Sequence, residues 1–193
     1  MNDFWLYAQT GFEHIVDRKG IDHILFVAAL CMRYQWTDWK KLLVLVTAFT
    51  IGHSLTLALS VFELVNYSVA WIEFLIPLTI VLTALSNLWV KKFNFNSRFP
   101  LIYWLALFFG LVHGLGFSNY LKSLLGKDQM VLPRLMAFNL GLEVGQLAII
   151  GCLLFLSIIF VGILKMNRRE WLLWISGGIF ALALQMTIER YPL

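Results

Sequence analysis

Residues 42–62 read LLVLVTAFTIGHSLTLALSVF, an apolar stretch that contains no Asp, Glu, Lys or Arg. An α-helix rises about 1.5 Å per residue and the hydrocarbon core of a bilayer is about 30 Å thick, so about 20 such residues cross a membrane. The stretch is therefore predicted to be a transmembrane helix. Near its middle it carries one ionisable side chain, His53.

Similar apolar runs recur along the whole chain of 193 residues. Hydrophobic residues make up 60% and charged residues 13%, whereas a soluble domain carries about 25% charge. The pattern predicts an all-α membrane protein, with one polytopic domain over residues 1–193 folded as a six-transmembrane-helix bundle. The predicted spans are about 21–36, 41–63, 68–90, 100–120, 133–163 and 170–188.

The segment before the first span is apolar and aromatic over residues 4–16 but too short to cross a bilayer. It predicts that residues 1–20 form a short interfacial segment on the outer surface.

The net charge of +4 does not indicate a nucleic-acid partner, because the basic residues form short clusters between apolar runs. Such clusters flank membrane helices, and their excess marks the inner side. The first, third and fifth loops hold nine: Arg33, Lys40, Lys41, Lys91, Lys92, Arg98, Lys165, Arg168 and Arg169. The opposite side holds six: Arg18, Lys19, Lys122, Lys127, Arg134 and Arg190. We therefore expect both termini to lie outside.

Ionisable side chains within the apolar spans are the informative residues, because each costs several kcal/mol in hydrocarbon. Counting along the helices places His53 roughly 18 Å and His113 roughly 20 Å from the inner side. Six such groups from five spans are predicted to share the outer half of the bilayer: Asp22, His23, His53, Glu73, His113 and Glu143.

Imidazole and carboxylate groups together suit Zn, Ni, Cu and Fe, so this set predicts a shared metal or ion site. Other roles stay open for each member. A membrane histidine can serve as an interhelical hydrogen-bonding group, and Asp22 can cap its helix. Glu73 or Glu143 can hold helices together as a protonated acid. His14 precedes the first span, where a solvated histidine is expected.

A second polar group is predicted on the fifth span. Asn139, Glu143 and Gln146 are spaced i, i+4 and i+7, so they share one helix face; Asn139 and Gln146 are expected to make packing contacts. Gly141 and Gly145 have the small-xxx-small spacing that allows a neighbouring helix to approach closely.

Five motifs occur in order over nearly the whole chain: His14…Gly20-Ile-Asp22-His23, Thr47-Ala-Phe49-Thr-Ile-Gly-His53-Ser-Leu-Thr56, Glu73, His113-Gly-Leu-Gly-Phe117 and Phe138-Asn139-Leu-Gly141-Leu-Glu143-Val-Gly145-Gln146. Taken together, these motifs resemble the HupE/UreJ family. The resemblance implies a small bacterial inner-membrane protein that acts as a secondary nickel permease, with His14, Asp22, His23, Glu73 and His113 at the family's functional positions. One departure is Gly116, where hydrogenase-linked permeases place a carboxylate.

The leading hypothesis is a secondary permease for a divalent transition metal, with nickel as the first candidate and zinc as the other. Capture at the outer surface would use His14, Asp22 and His23, and transfer inward would use His53, Glu73 and His113. The expected partners are the metal ion, the bilayer and a second copy of the chain. On this hypothesis the protein has no catalytic residue.

Two other functions are kept open. One is a membrane-embedded zinc hydrolase built on the same His, Asp and Glu cluster, with Glu73 as general base and Ser54 as a further reactive group. The other is a haem-binding electron carrier with His53 and His113 as axial ligands.

Overall fold

The computed structural model describes residues 3–17, 20–90, 93, 101–125 and 131–192, and among these residues it contains no strand. The described α-helices, in chain order, are α1 (Asp3–Val16), α2 (Ile21–Cys31), α3 (Trp39–Val61), α4 (Val69–Leu88), α5 (Leu101–Leu125), α6 (Val131–Ser157) and α7 (Arg168–Glu189). A 3-10 turn, Trp36–Asp38, leads into α3, and a π-helical end, Ile158–Ile163, prolongs α6.

Five of the described helical stretches are long and apolar enough to cross a membrane: Trp36–Val61, Val69–Leu88, Ile102–Leu124, Val131–Ile163 and Arg168–Glu189. They lie within a few residues of the second to sixth predicted spans. The first predicted span, about 21–36, is not confirmed as a crossing, because α2 has only 11 residues. The predicted total of six crossings is therefore not confirmed. The protein is therefore a helical, multi-pass membrane protein. Six of the basic residues on which the predicted orientation depends lie outside the described residues: Arg18, Lys19, Lys91, Lys92, Arg98 and Lys127.

Helix α1 packs lengthwise against α6. A Cβ atom built on Gly141 would overlap the backbone of Ala8, and one built on Gly11 would overlap the backbone of Phe138. The close approach predicted for Gly141 and Gly145 is thus confirmed, and the helix that approaches is α1. The interfacial position predicted for residues 1–20 is not confirmed, since α1 is part of the helix packing.

Helices α1 and α2 follow each other in the same direction along the bundle. At the start of α1, Asp3 pairs with Arg134 at the start of α6, at 2.9 Å between Oδ2 and Nη2. At the start of α2, Asp22 meets Arg190 beyond the end of α7. Ala29, near the end of α2, accepts a hydrogen bond from Asn87 near the end of α4. The end of α1 and the start of α2 therefore meet inside the bundle, at His14 and His23.

Helices α3 and α5 lie side by side and run parallel. Gly52 of α3 is seated against the backbone at Leu107, and Gly110 of α5 is seated against the backbone at Phe49. The absence of a side chain at these two glycines lets the backbones approach. This packing brings His53 and His113 to similar heights in the bundle.

A polar cluster ties the opposite ends of α2, α4 and α7 together. The Asn87 amide donates to the carbonyl of Ala29 and to the hydroxyl of Ser176, and both polar side chains are fully buried. The Arg33 guanidinium donates to Asn87 Oδ1 and to the Ser86 hydroxyl. These bonds give the bundle a closed end, away from the histidines.

Candidate metal centre

Four imidazoles from four helices meet within the bundle. His14 comes from the last turn of α1, His23 from the first turn of α2, His53 from α3 and His113 from α5. Ring centroids are 4.5 Å apart for His14 and His23, 6.4 Å for His23 and His53, and 5.2 Å for His23 and His113. His23 is the common neighbour, and the break between α1 and α2 is what brings it beside His14.

Three of these side chains have the geometry of a metal ligand set. One ring nitrogen each of His14, His23 and His53 lies within 4.8 Å of the other two. Nε2 of His14 and both nitrogens of His23 and His53 are buried without a hydrogen-bond partner among the described residues. An unsatisfied buried polar atom costs about 1–3 kcal/mol, so this cluster is expensive unless something binds to it. Neutral imidazole nitrogens fit a divalent Ni, Zn or Cu ion.

His113 stands beside the triad and has a partner. Its Nε2 lies 3.4 Å from the hydroxyl of Thr79 on α4, and its Nδ1 has no hydrogen bond among the described residues. His113 therefore links the triad to the polar side of α4.

The Asp22 carboxylate lies directly next to the cluster and is almost fully buried. Its Oδ1 accepts a hydrogen bond from the backbone N–H of His23 and lies 3.1 Å from Nδ1 of the same residue, out of line for a hydrogen bond. Its Oδ2 is 3.3 Å from Nη1 of Arg190. The proposed capping role is wrong, because Gly20 occupies the N-cap of α2 and Asp22 lies in the first turn.

A cavity of about 300 Å³ opens in front of the imidazoles. His14, His23 and His113 line it together with two carboxylates, Asp22 and Glu73, and with Arg190 and Gly116. Glu73 is solvent-exposed at the rim and is outside the ligand triad. Pro77, one turn further along α4, has no N–H for the carbonyl of Glu73.

Aromatic rings close the other sides of the cluster. Phe117 packs on His14 with 3.7 Å between centroids, and Phe138 stacks on His53 at 6.4 Å. Phe49 contacts both His53 and His113, at 5.9 and 5.4 Å. These rings give the imidazoles apolar neighbours, while the cavity adjoins three of them, His14, His23 and His113.

Two predicted positions need correction. His14 is not a solvated outer histidine, because it packs between Phe117 and His23 at the end of α1. Glu143 does not share the depth of the imidazoles: it accepts a hydrogen bond from Thr47, which precedes His53 by six residues, about 9 Å along α3. The reach of the glutamate side chain and the crossing of α3 with α6 place it there.

The remaining predicted side chains lie around the cluster without joining it. Gln146 accepts a hydrogen bond from Thr50 and is thus a helix contact between α3 and α6. Ser54 donates to the carbonyl of Thr50 in its own helix. Asn139 has a buried Oδ1 without a hydrogen-bond partner in the described part of the chain and is absent from the ligand triad.

Arg190 and Thr79 were not predicted as parts of the site. Arg190 was counted only as an outer basic residue, and Thr79 lies in an apolar run. The spacing of Thr79, Thr83 and Asn87, four residues apart each time, could have indicated the role of Thr79, because it places these polar side chains on one face of α4.

This fold and this site define a class of protein: a helical, multi-pass membrane protein whose buried imidazoles adjoin an acidic cavity that opens to one side. A family model described as HupE / UreJ protein matches residues 1–190. The chain belongs to the HupE/UreJ family. Searches among curated proteins and among solved structures find no match.

Proposed function

We propose that the protein is a secondary permease for a divalent transition-metal ion, with nickel as the first candidate. The family is associated with nickel and metal transport. The observation that carries the proposal is the ligand triad of His14, His23 and His53, whose buried nitrogens come within 4.8 Å of one another. Three imidazoles inside a membrane protein, next to a carboxylate-lined cavity, suit a cation in passage.

The proposed route begins at the cavity. Glu73 and Asp22 attract the hydrated cation, since a cleft with one sign of charge raises the local concentration of the opposite ion. The triad then replaces part of its water shell. His113 passes the ion towards Thr79, and from there Thr83 and Asn87 continue along one face of α4.

The inward route rests on a row of buried oxygen atoms. Thr79 and Thr83 are 4% and 5% exposed, and each hydroxyl donates to a carbonyl of its own helix. A hydroxyl that donates in this way keeps lone pairs with which it can face a cation or its water. At the end of the row Arg33 binds Asn87, so a positive charge must move before a cation can leave.

The proposed topology has six crossings, with α1 and α2 as one interrupted crossing. Together they contain 25 residues, about 38 Å of helix. Interrupted helices in transporters expose unpaired backbone groups at the break, where substrate binds. Six crossings leave both termini on one side, which we place outside, at the bacterial inner membrane.

A zinc hydrolase is the second candidate, because three imidazoles with room for a further ligand also describe a catalytic zinc site. The Ser54 hydroxyl donates its hydrogen bond to the carbonyl of Thr50 and not to a ring nitrogen of the neighbouring His53. A haem does not fit between His53 and His113, since the ring of Phe49 packs on both.

The test is metal entry into liposomes that contain the purified protein and enclose a metal-sensitive dye. Wild type is expected to give a nickel-dependent signal, and His53→Ala is expected to abolish it, because a direct ligand is lost. Ser54→Ala is the matched control on the neighbouring residue and should transport like wild type.

Absence of entry for nickel, cobalt and zinc with a correctly folded wild type would contradict transport. Metal binding without entry, accompanied by hydrolysis of an ester or peptide substrate that His53→Ala loses, would favour the enzyme.

A further inference from the structure

An arginine from the end of the last helix reaches into the cavity in front of the imidazoles. Nη1 of Arg190 lies 3.3 Å from Oδ2 of Asp22, and the two side chains are 33% and 10% exposed. The other oxygen of the same carboxylate lies 3.1 Å from Nδ1 of His23. A single carboxylate thus connects the arginine to the ligand triad.

We propose that Arg190 is a tethered cation that occupies Asp22 while the site is empty of metal and withdraws when a metal ion binds. The inference rests on the proposed function and deepens it. It identifies the group that keeps the affinity low enough for the ion to leave.

The first step is the charge of Asp22. A buried carboxylate without a counter-charge is costly, and removal of one partner from a buried ion pair is strongly destabilising. Arg190 supplies that partner, and a guanidinium stays charged throughout the physiological range. Loss of Arg190 alone therefore destabilises the metal-free protein.

The second step is the conflict with a bound metal. A divalent ion held by His23 would lie a few ångströms from the guanidinium, and like charges at such a distance in a partly dry cavity repel strongly. Metal and Arg190 therefore compete for Asp22. Arg190 has room to leave, since a third of its side chain is exposed, and the carboxylate of Glu73 lines the same cavity.

The alternative is that Arg190 is only a fixed anchor between α7 and α2. The two ideas predict opposite changes in metal affinity when Arg190 is removed. If Arg190 competes with the metal, its removal tightens metal binding while it destabilises the metal-free protein. If Arg190 only holds the helices in place, its removal disturbs the triad and weakens metal binding.

The experiment measures nickel binding to the full-length protein in detergent by equilibrium dialysis, with thermal unfolding of the metal-free protein in parallel. For Arg190→Gln we expect a dissociation constant lower by about tenfold, which corresponds to about 1.4 kcal/mol, and a lower melting temperature. Arg190→Lys keeps the charge and should bind like wild type. Lys41→Gln is the control, because it removes an ion pair with Asp38 at the end of the bundle away from the histidines.

Asp22→Asn supplies the second half of a double-mutant cycle. In that background Arg190→Gln should change nickel affinity by less than about twofold, because the shared carboxylate is gone. Unchanged or weaker nickel binding by Arg190→Gln alone would overturn the inference and leave the proposed permease standing. A wild type that binds neither nickel, cobalt nor zinc would contradict both.

A second measurement uses the wild type and so does not depend on the folding of a variant. An arginine-directed dicarbonyl reagent is applied with and without nickel, and modified peptides are quantified by mass spectrometry. Nickel should increase the modification of Arg190 and leave Arg134 unchanged. Equal or reduced modification of Arg190 with nickel bound would overturn the inference.

Discussion

Single residues in the site differ in their surroundings, and this difference assigns them different tasks. His14, His23 and His53 offer nitrogens that have no hydrogen-bond partner in the described part of the chain, so they are suited to bind an ion directly. Glu73 is solvent-exposed at the rim of the cavity. A rim carboxylate acts over a distance that salt screens, so we propose that Glu73 serves capture rather than ligation.

The residue-scale prediction compares His14→Ala with Glu73→Gln. His14→Ala should weaken nickel affinity by about 100-fold or more, since even indirect partners of a metal cost 10–100-fold. Glu73→Gln should leave the affinity within about tenfold and lower the initial uptake rate, with a smaller dependence on ionic strength. Equilibrium dialysis and uptake at two salt concentrations measure both effects. Equal losses of affinity in the two variants would place Glu73 among the ligands.

At the scale of helices, the packing of α1 on α6 positions His14. Small residues at the contact allow the backbones to approach, as is usual for membrane helices. Gly141 and Gly151 lie on the same helix with opposite surroundings: Gly141 faces the backbone of Ala8, and a Cβ on Gly151 would meet nothing within 4 Å.

Gly141→Ala is accordingly expected to lower the free energy of unfolding by about 1–3 kcal/mol through overpacking. It should also weaken nickel binding, because α1 must move away and carries His14 with it. Gly151→Ala is the control and should be neutral or stabilising by up to about 1 kcal/mol, as alanine favours helices. Thermal unfolding in detergent measures both. A stable Gly141→Ala variant with normal nickel affinity would show that the contact does not position His14.

The polar face of α4 is the second feature at this scale. Thr83→Val replaces a hydroxyl by a methyl group, so it removes one buried oxygen from the proposed inward route while the shape of the side chain stays nearly the same. Nickel affinity should stay within about twofold, while the uptake rate should fall about tenfold, which corresponds to a barrier higher by about 1.4 kcal/mol. Thr187→Val is the control, because Thr187 on α7 donates the same kind of hydrogen bond, to Ala183. Equal uptake by Thr83→Val and wild type would exclude this face as the route.

At the scale of the whole molecule, the count of crossings decides the side on which the cavity opens. With α1 and α2 as one interrupted crossing, the cavity and both termini share a side. The basic residues of the chain favour that side as the outer one.

The topology can be tested with single cysteines in the segments that connect the spans. Lys91 and Gly126 lie in such segments but outside the described residues, so Asn66 and Thr37 are chosen. In a background with the exposed Cys152 replaced by serine, Asn66→Cys should react with an impermeant thiol reagent in intact cells. Thr37→Cys should react only after the membrane is opened. The reverse pattern would place the cavity inside and make the protein an exporter by this route.

The sequence predicted the long helices well, since 20 or more apolar residues permit few other structures. It also predicted that His23, His53 and His113 lie near one another, because helical rise converts position into depth. The interfacial position that it predicted for residues 1–20 is not confirmed, because the 14 residues of α1 carry no signal for the surface on which the helix packs. Contacts that depend on the rotation of a helix or on a long side chain, such as Thr79 to His113 and Arg190 to Asp22, require the packed structure.

The central claim is that the imidazoles of His14, His23 and His53 hold a divalent transition metal within the bundle. X-ray absorption spectroscopy of the purified, nickel-loaded protein tests it most directly, because imidazole ligands give a characteristic multiple-scattering pattern. We expect about three imidazole ligands per nickel ion in wild type and loss of bound nickel in His53→Ala. A nickel ion with only oxygen ligands, or the same spectrum from wild type and His53→Ala, would contradict it.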